Sequence, residues 1–453
     1  MVVRLKKILD IPCGIRYMYS TLNLVSSLSA TMLLETKIET DRDKLLVLYS
    51  NLSEFKSLTE HGGDLFIIKD KIAIYLSHLK DIRNSLKRIS EGSVADDIEL
   101  FEIKSLVLIN EKIKSLLENI VIKAITLPDL EHVLNLLDPD GNRITSFYVY
   151  DSYSNELKAL RDRLKLDNSY NEEVLYQCSI IEDKIRTKLS KAIKNEYTKL
   201  EDSIYNLAQL DILMAKAFQL HNKNLSIPEI SNSVTDYKGL FNPEVANILL
   251  IENKEYQDTS ITVRLGTPLL ITGSNMGGKS LTLKTLALCQ YLFQFGFGIP
   301  AKSALIMPVQ EIHLSFGDDE DYKKGLSSFA AEMKRIDSMI NRVNDGCCLL
   351  SLTDEPARTT NPAEGKALAS ALLEILTGSQ TVSVVTTHYS IENENCDRLR
   401  VRGFIDGKMD YSLVKDDLSQ TPAEALNIAE SLGVNSLWID LARKELEKNI
   451  KNK

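Results

Sequence analysis

The sequence predicts an α/β nucleotide-binding core preceded by a mainly α-helical half, and three observations carry that prediction. The first is a complete phosphate-binding loop, Gly273-Ser274-Asn275-Met276-Gly277-Gly278-Lys279-Ser280. The second is an alternation of short apolar strands with helical patterns from about residue 242 to 415. The third is a stretch before residue 225 that is poor in glycine and keeps apolar residues three and four apart. The boundaries drawn on these grounds are 1–225 for the helical half, 226–415 for the nucleotide-binding core and 416–453 for a helical tail.

The loop sits in the right local context for an α/β P-loop NTPase. Upstream, Pro268 to Thr272 is a short apolar run of the kind a buried parallel strand shows. Downstream, Leu281 to Phe295 carries apolar residues at helical spacing. A strand, a glycine loop and a helix N-terminus together aim backbone N–H groups and the positive end of a helix dipole at one spot. Lys279 is suited to the outer phosphates and the Ser280 hydroxyl to a magnesium position, so ATP and Mg2+ are the expected cofactors. A chance glycine turn is the plainer alternative, and the flanking strand and helix count against it.

The bulk numbers narrow the class. The chain has 453 residues, a formal net charge of -9 and a pI near 5.4, which argues against a surface coated in basic residues but permits a local basic groove. Six cysteines without a CxxC pair read as free thiols in a reducing compartment. Met1 to Tyr19 is broken by Arg4, Lys6, Lys7, Asp10 and Pro12, and no apolar run is long enough to span a bilayer. A cytoplasmic protein with no membrane partner is expected.

In chain order, Phe101 to Leu117 reads as a helix, and Lys184 to Leu213 as one long helix extending beyond a compact core. The latter suits either a coiled arm or a bundle helix. Asp138-Pro139-Asp140-Gly141-Asn142 is a turn cluster, and Ile144 to Tyr150 reads as the edge strand after it. Calcium is excluded there, because the glycine is misplaced and position twelve is Val149. His221 to Asn242 reads as a linker, and Phe404 to Met409 as a hairpin around Asp406-Gly407. Helices are expected at Pro422–Leu432 and Leu437–Leu446, with Trp438 packing against the core or a second subunit.

Hydrolysis needs more than a phosphate loop. The apolar run Cys347 to Thr353 ends in Asp354-Glu355, where Asp354 suits water-mediated magnesium binding and Glu355 suits activation of the attacking water. His388 follows a second apolar strand, Thr381 to Val385, where it could sense a terminal phosphate. Gly325 to Met333 reads as a capped helix start, with Glu332 in a capping arrangement.

These motifs in this order, with Phe316-Gly317 to Asp321, Arg358 and Thr360, resemble the ATPase domain of the MutS family, in the ABC class. The helical half resembles the core and lever of that family more weakly. The resemblance implies that Asn275 lies near the γ-phosphate and that Ser327 reaches ATP held by the other subunit. It places Arg358 and Thr360 in the loop between paired sites, and it makes His388 a switch. A two-fold homodimer with sites completed in trans is the implied assembly.

The sequence also departs from that pattern. The family usually has proline at Ser274 and threonine at Leu281, and leucine and glycine where Pro356 and Ala357 stand. The last difference is expected to alter loop mobility and hydrolysis rate. The mismatch-reading, connector and nuclease domains are expected to be missing, and the clamp segment, about Leu157 to Val174, is short.

Three functions fit. Domain content puts first an ATPase that remodels or reactivates a cobalamin-dependent aminomutase, because Asp354 to Pro362 is similar to short MutS-like ATPases associated with such enzymes. Family name favours a MutS-type protein acting on duplex DNA in repair or recombination. A scaffold that binds ATP without turnover is the third, and an intact Glu355 speaks against it.

Overall fold

The computed structural model describes residues 3–166, 171–273, 278–316, 328–405, 408–416, 426, 429–430 and 433–451. Two sheets form in the second half of the chain. Strands β1 (Glu229–Ile230), β2 (Val234–Leu240), β3 (Thr259–Arg264) and β5 (Ser303–Ile306) make a four-stranded sheet in the order β1-β5-β2-β3. The larger sheet joins β4 (Leu269–Thr272), β6 (Glu311–Ser315), β7 (Leu349–Asp354), β8 (Thr381–Thr387), β9 (Asp397–Ile405) and β10 (Lys408–Lys415) in the order β10-β9-β4-β8-β7-β6. All its neighbours run parallel except the hairpin pair β9 and β10. Every residue of β4 and β8 is buried, as expected of parallel strands covered on both faces. The strand order therefore brings the C-terminal ends of β4, β7 and β8 to one edge, where ligands bind in open α/β sheets.

The hairpin expected around Asp406-Gly407 is present as the pairing of Ile405 with Lys408, although the two turn residues lie outside the described residues. Residues 221–242 are more than a linker. After the helix Tyr197–Asn222 they supply β1 and β2, and Asn242 accepts N–H bonds to cap the Pro243–Ile251 helix. Strand pairing with β3 and β5, distant in sequence, orders the segment despite its turn-rich composition.

The long helix predicted over Lys184–Leu213 is two helices, Glu172–Asn195 and Tyr197–Asn222, broken at Glu196 (φ -100, ψ 9). No glycine or proline marks the break, so apolar spacing runs through it unchanged. The second helix is not an arm. It buries most of its length, from Leu200 to Leu220, and packs against the Arg42–Leu58 and Ser27–Glu35 helices. One apolar core runs from Leu5 through this helix to Leu292, Phe293 and Val384, so the helical half and the core share it.

Ile144–Tyr150 is not a strand. A buried lysine organises it instead: Lys104 Nζ donates to Asp138 Oδ1 at 3.0 Å, to the Ser146 carbonyl at 3.0 Å and to the Tyr150 hydroxyl at 2.9 Å. Backbone N–H groups, with Lys104, hold the Asp138 carboxyl below the usual range against its burial. The Asp138–Asn142 turn itself is present, with Gly141 at φ 69.

A second buried lysine couples the halves. Lys216 Nζ donates to the Phe295 carbonyl at 2.7 Å, at the C-terminus of the Lys279–Gln294 helix, and lies over the Phe297 ring. Burial pushes its ammonium down to about 7. Between pH 7 and the ordinary lysine value the unfolded chain therefore binds more protons than the folded one. This group makes stability rise with pH across that window. Urea unfolding at pH 7 and pH 9 is expected to show a smaller rise for Lys216→Met than for the parent. An equal rise in both would remove Lys216 as its source.

Candidate active site

The loop after β4 begins at Gly273 (φ 134), where a side chain would come within 3.2 Å of Val401 Cβ. It ends at Gly278, a left-handed residue (φ 74) that opens the Lys279–Gln294 helix. Both conformations favour glycine. Ser274, Asn275, Met276 and Gly277 lie outside the described residues, as does Ser327. Lys279 is 2% exposed: its Nζ donates to the Gly273 carbonyl at 2.6 Å and stands 3.3 Å from Glu355 Oε1. Burial lowers its pKa, while Glu355 opposes the shift by favouring the ammonium. Ser280 is exposed on the first turn of the same helix.

Asp354 ends β7 and accepts a hydrogen bond from Thr386 Oγ1 at 2.5 Å, its register partner on β8. The next residue turns sharply. Glu355 has φ 45, held by its N–H donating to both the carbonyl and the hydroxyl of Thr386 at 3.1 Å. That left-handed turn directs its buried carboxylate toward Lys279, with Arg358 Nη1 at 3.4 Å and His388 Nδ1 at 3.9 Å from Oε2. Three segments far apart in sequence thus converge on one carboxylate, at a strained backbone of the sort found in active sites. Thr360 is not brought to it; its hydroxyl donates to Glu364 at 3.4 Å.

Glu332 departs from its expected role as a cap of its own helix. It lies in the Ser328–Asn344 helix, is buried, and accepts the Ala357 N–H at 3.0 Å across to the loop after β7. Ala357 itself has φ 59 and no exposed surface. This explains why glycine suits that place. A non-glycine residue in that region costs about 1–2 kcal/mol, and glycine returns about 0.4–1 kcal/mol of freedom to the unfolded chain. Ala357→Gly is therefore expected to be neutral or stabilising by up to about 1 kcal/mol in urea unfolding. A clear loss would mean that methyl packing outweighs the strain.

The sequence pattern did not reveal a cavity of about 430 Å³ beside Gly278, lined by Leu249, Tyr256, Leu281, Met409 and Tyr411 among others. Gln257 pins its far wall, donating to Asp410 at 2.7 Å and accepting the Tyr411 N–H at 2.9 Å. Size, aromatic lining and position beside the phosphate loop suit a nucleotide base. No local motif signals it, because its walls come from three separate segments. The Asp354 carboxylate and Ser280 hydroxyl are hard oxygen donors, and no group of three or more His, Cys, Asp or Glu forms a metal cage among the described residues. Such a sparse set fits magnesium, which keeps waters and shares phosphate oxygens.

Residues 269–402 match the family model MutS domain V. The chain is similar to Endonuclease MutS2 of Caldicellulosiruptor saccharolyticus, 30% identical over 355 residues that cover 75% of this chain and 41% of that protein. Endonuclease MutS2 of Pediococcus pentosaceus is 32% identical over 276 residues, 58% of this chain and 33% of the relative. That of Streptococcus thermophilus is 35% identical over 213 residues, 46% and 25% respectively. The chain spans less than half the length of these relatives. These matches support a MutS-type ATPase domain. None of them points to an aminomutase. Among the described residues no helix is long and apolar enough to cross a membrane.

Proposed function

We propose that this chain is a MutS-type ATPase that hydrolyses ATP with Mg2+ in a two-fold homodimer and couples turnover to duplex DNA. The observation that supports catalysis best is the buried Glu355 carboxylate 3.3 Å from the phosphate-loop lysine, with Arg358 and His388 beside it. In this reading Gly273 to Ser280 cradle the phosphates and Asn275 lies by the γ-phosphate. Lys279 leaves Glu355 for the phosphates, which frees the carboxylate to orient water and accept its proton. Ser280 and Asp354 hold magnesium, which when bound offsets charge on the phosphate oxygens. His388 senses the terminal phosphate, while Ser327, Arg358 and Thr360 serve the composite sites between subunits.

The DNA partner is favoured over aminomutase remodelling because the similar proteins are named as endonucleases of the MutS2 kind. The dimer draws support from the Ser436–Lys451 helix. Trp438, 69% exposed, does not pack against this chain's core, and Leu437 and Leu441 are exposed beside it. Hydrolysis per subunit is expected to rise with protein concentration, and duplex binding to weaken steeply between 50 and 200 mM salt, as on the order of several phosphate contacts require. A single-subunit species with concentration-independent turnover would sink the dimer. Absence of duplex binding at low salt would sink the DNA reading while leaving the ATPase intact.

A further inference from the structure

The face of the large sheet beneath the Ser328–Asn344 helix is polar where a covered parallel sheet is ordinarily apolar. In register, His313 on β6 pairs with Ser351 on β7, and Ser315 with Thr353. Alternate residues share a face, so these four side chains stand together with Leu349, which packs in one cluster with Met339 and Val343 of the helix. Ser351 is 1% exposed and Ser315 6%, and neither hydroxyl has a hydrogen-bond partner among the described residues; nor does the buried Arg335 Nε. Buried polar atoms usually have partners, and three without one stand beside the same cavity.

The three lie around a cavity of about 420 Å³, within the range of small-molecule sites. Lys334 and Arg335 line it, and no carboxylate does among the described residues. Two acids on the same elements are already engaged. Glu311 accepts from Arg342 Nε at 3.1 Å and stands 3.0 Å from His313 Nε2, and Glu332 holds the Ala357 N–H. Donors, net positive charge and a partly apolar wall are thus combined around one open cleft.

We propose that this cavity is a second anion site, separate from the phosphate loop, which takes a phosphate group either free or at the end of a small phosphate monoester. The Ser315 and Ser351 hydroxyls and the Arg335 guanidinium donate to its oxygens, and Lys334 adds charge.

The test uses the full chain carrying Lys279→Ala, so that the phosphate loop does not contribute. Inorganic phosphate and phenyl phosphate are titrated separately by calorimetry at constant ionic strength. Saturable binding is expected, weakened tenfold or more by Arg335→Gln and likewise by Ser351→Val, which swaps a hydroxyl for a methyl suited to a strand. Tighter binding of phenyl phosphate identifies a monoester, because Ile336 and Met339 add apolar contact; equal binding identifies free phosphate. If neither probe binds, or if folded Arg335→Gln and Ser351→Val chains bind like the parent, the cavity holds only water and the proposal is overturned.

Discussion

Lys279→Ala is expected to lower kcat/KM for ATP by at least about 10³, because in the proposed function one residue supplies both ground-state grip on the phosphates and charge in the transition state. The geometry explains why no neighbour substitutes. Lys279 is the buried cation at the helix start, its Nζ placed by the Gly273 carbonyl, whereas the Arg358 side chain is about half exposed on the far side of Glu355. Removing Lys279 also leaves the Glu355 carboxylate, among the described residues, with its more distant partners Arg358 at 3.4 Å and His388 at 3.9 Å. A modest loss of stability should accompany the loss of activity, since a buried charge that loses its partner is costly. Phosphate release and binding of a fluorescent ATP analogue measure the two effects. Turnover within tenfold of the parent would take Lys279 out of the site.

Glu355→Gln should separate binding from chemistry. The amide keeps the shape of the carboxylate and occupies the same left-handed backbone, so ATP binding is expected to persist. What is lost is a group able to accept the proton of the attacking water, and kcat should fall by about 10²–10³. The variant should then accumulate with ATP bound and, in the proposed assembly, as a dimer by light scattering. Loss of ATP affinity together with rate would show that Glu355 chiefly positions Lys279. The contrast between the two variants is informative because their side chains touch, so their effects are not expected to add.

The β4 strand ahead of the glycine loop, the β7 strand with its acidic pair and the β8 strand ahead of His388 were legible because each is a local pattern, an apolar run with a polar end. The break at Glu196 was not legible, since one non-helical residue leaves apolar periodicity intact. Nor was the irregular course of Ile144–Tyr150. Its β-branched and aromatic residues suit a strand, but Lys104, more than 40 positions away, satisfies its polar groups instead.

By itself the sequence determined the strand and helix that flank the glycine loop, and the polar residue types at the ends of β7 and β8, since these follow from short-range spacing. Only the tertiary structure decided which groups meet. Glu355 faces Lys279 because β7 and β4 flank β8 in the sheet and the chain turns left-handed at its end. Glu332 grips the Ala357 loop instead of capping its own helix, and the base-sized cavity closes only when three segments come together. Such contacts depend on parallel strand order and register, which bring residues tens of positions apart within hydrogen-bonding distance and leave no trace in local pattern.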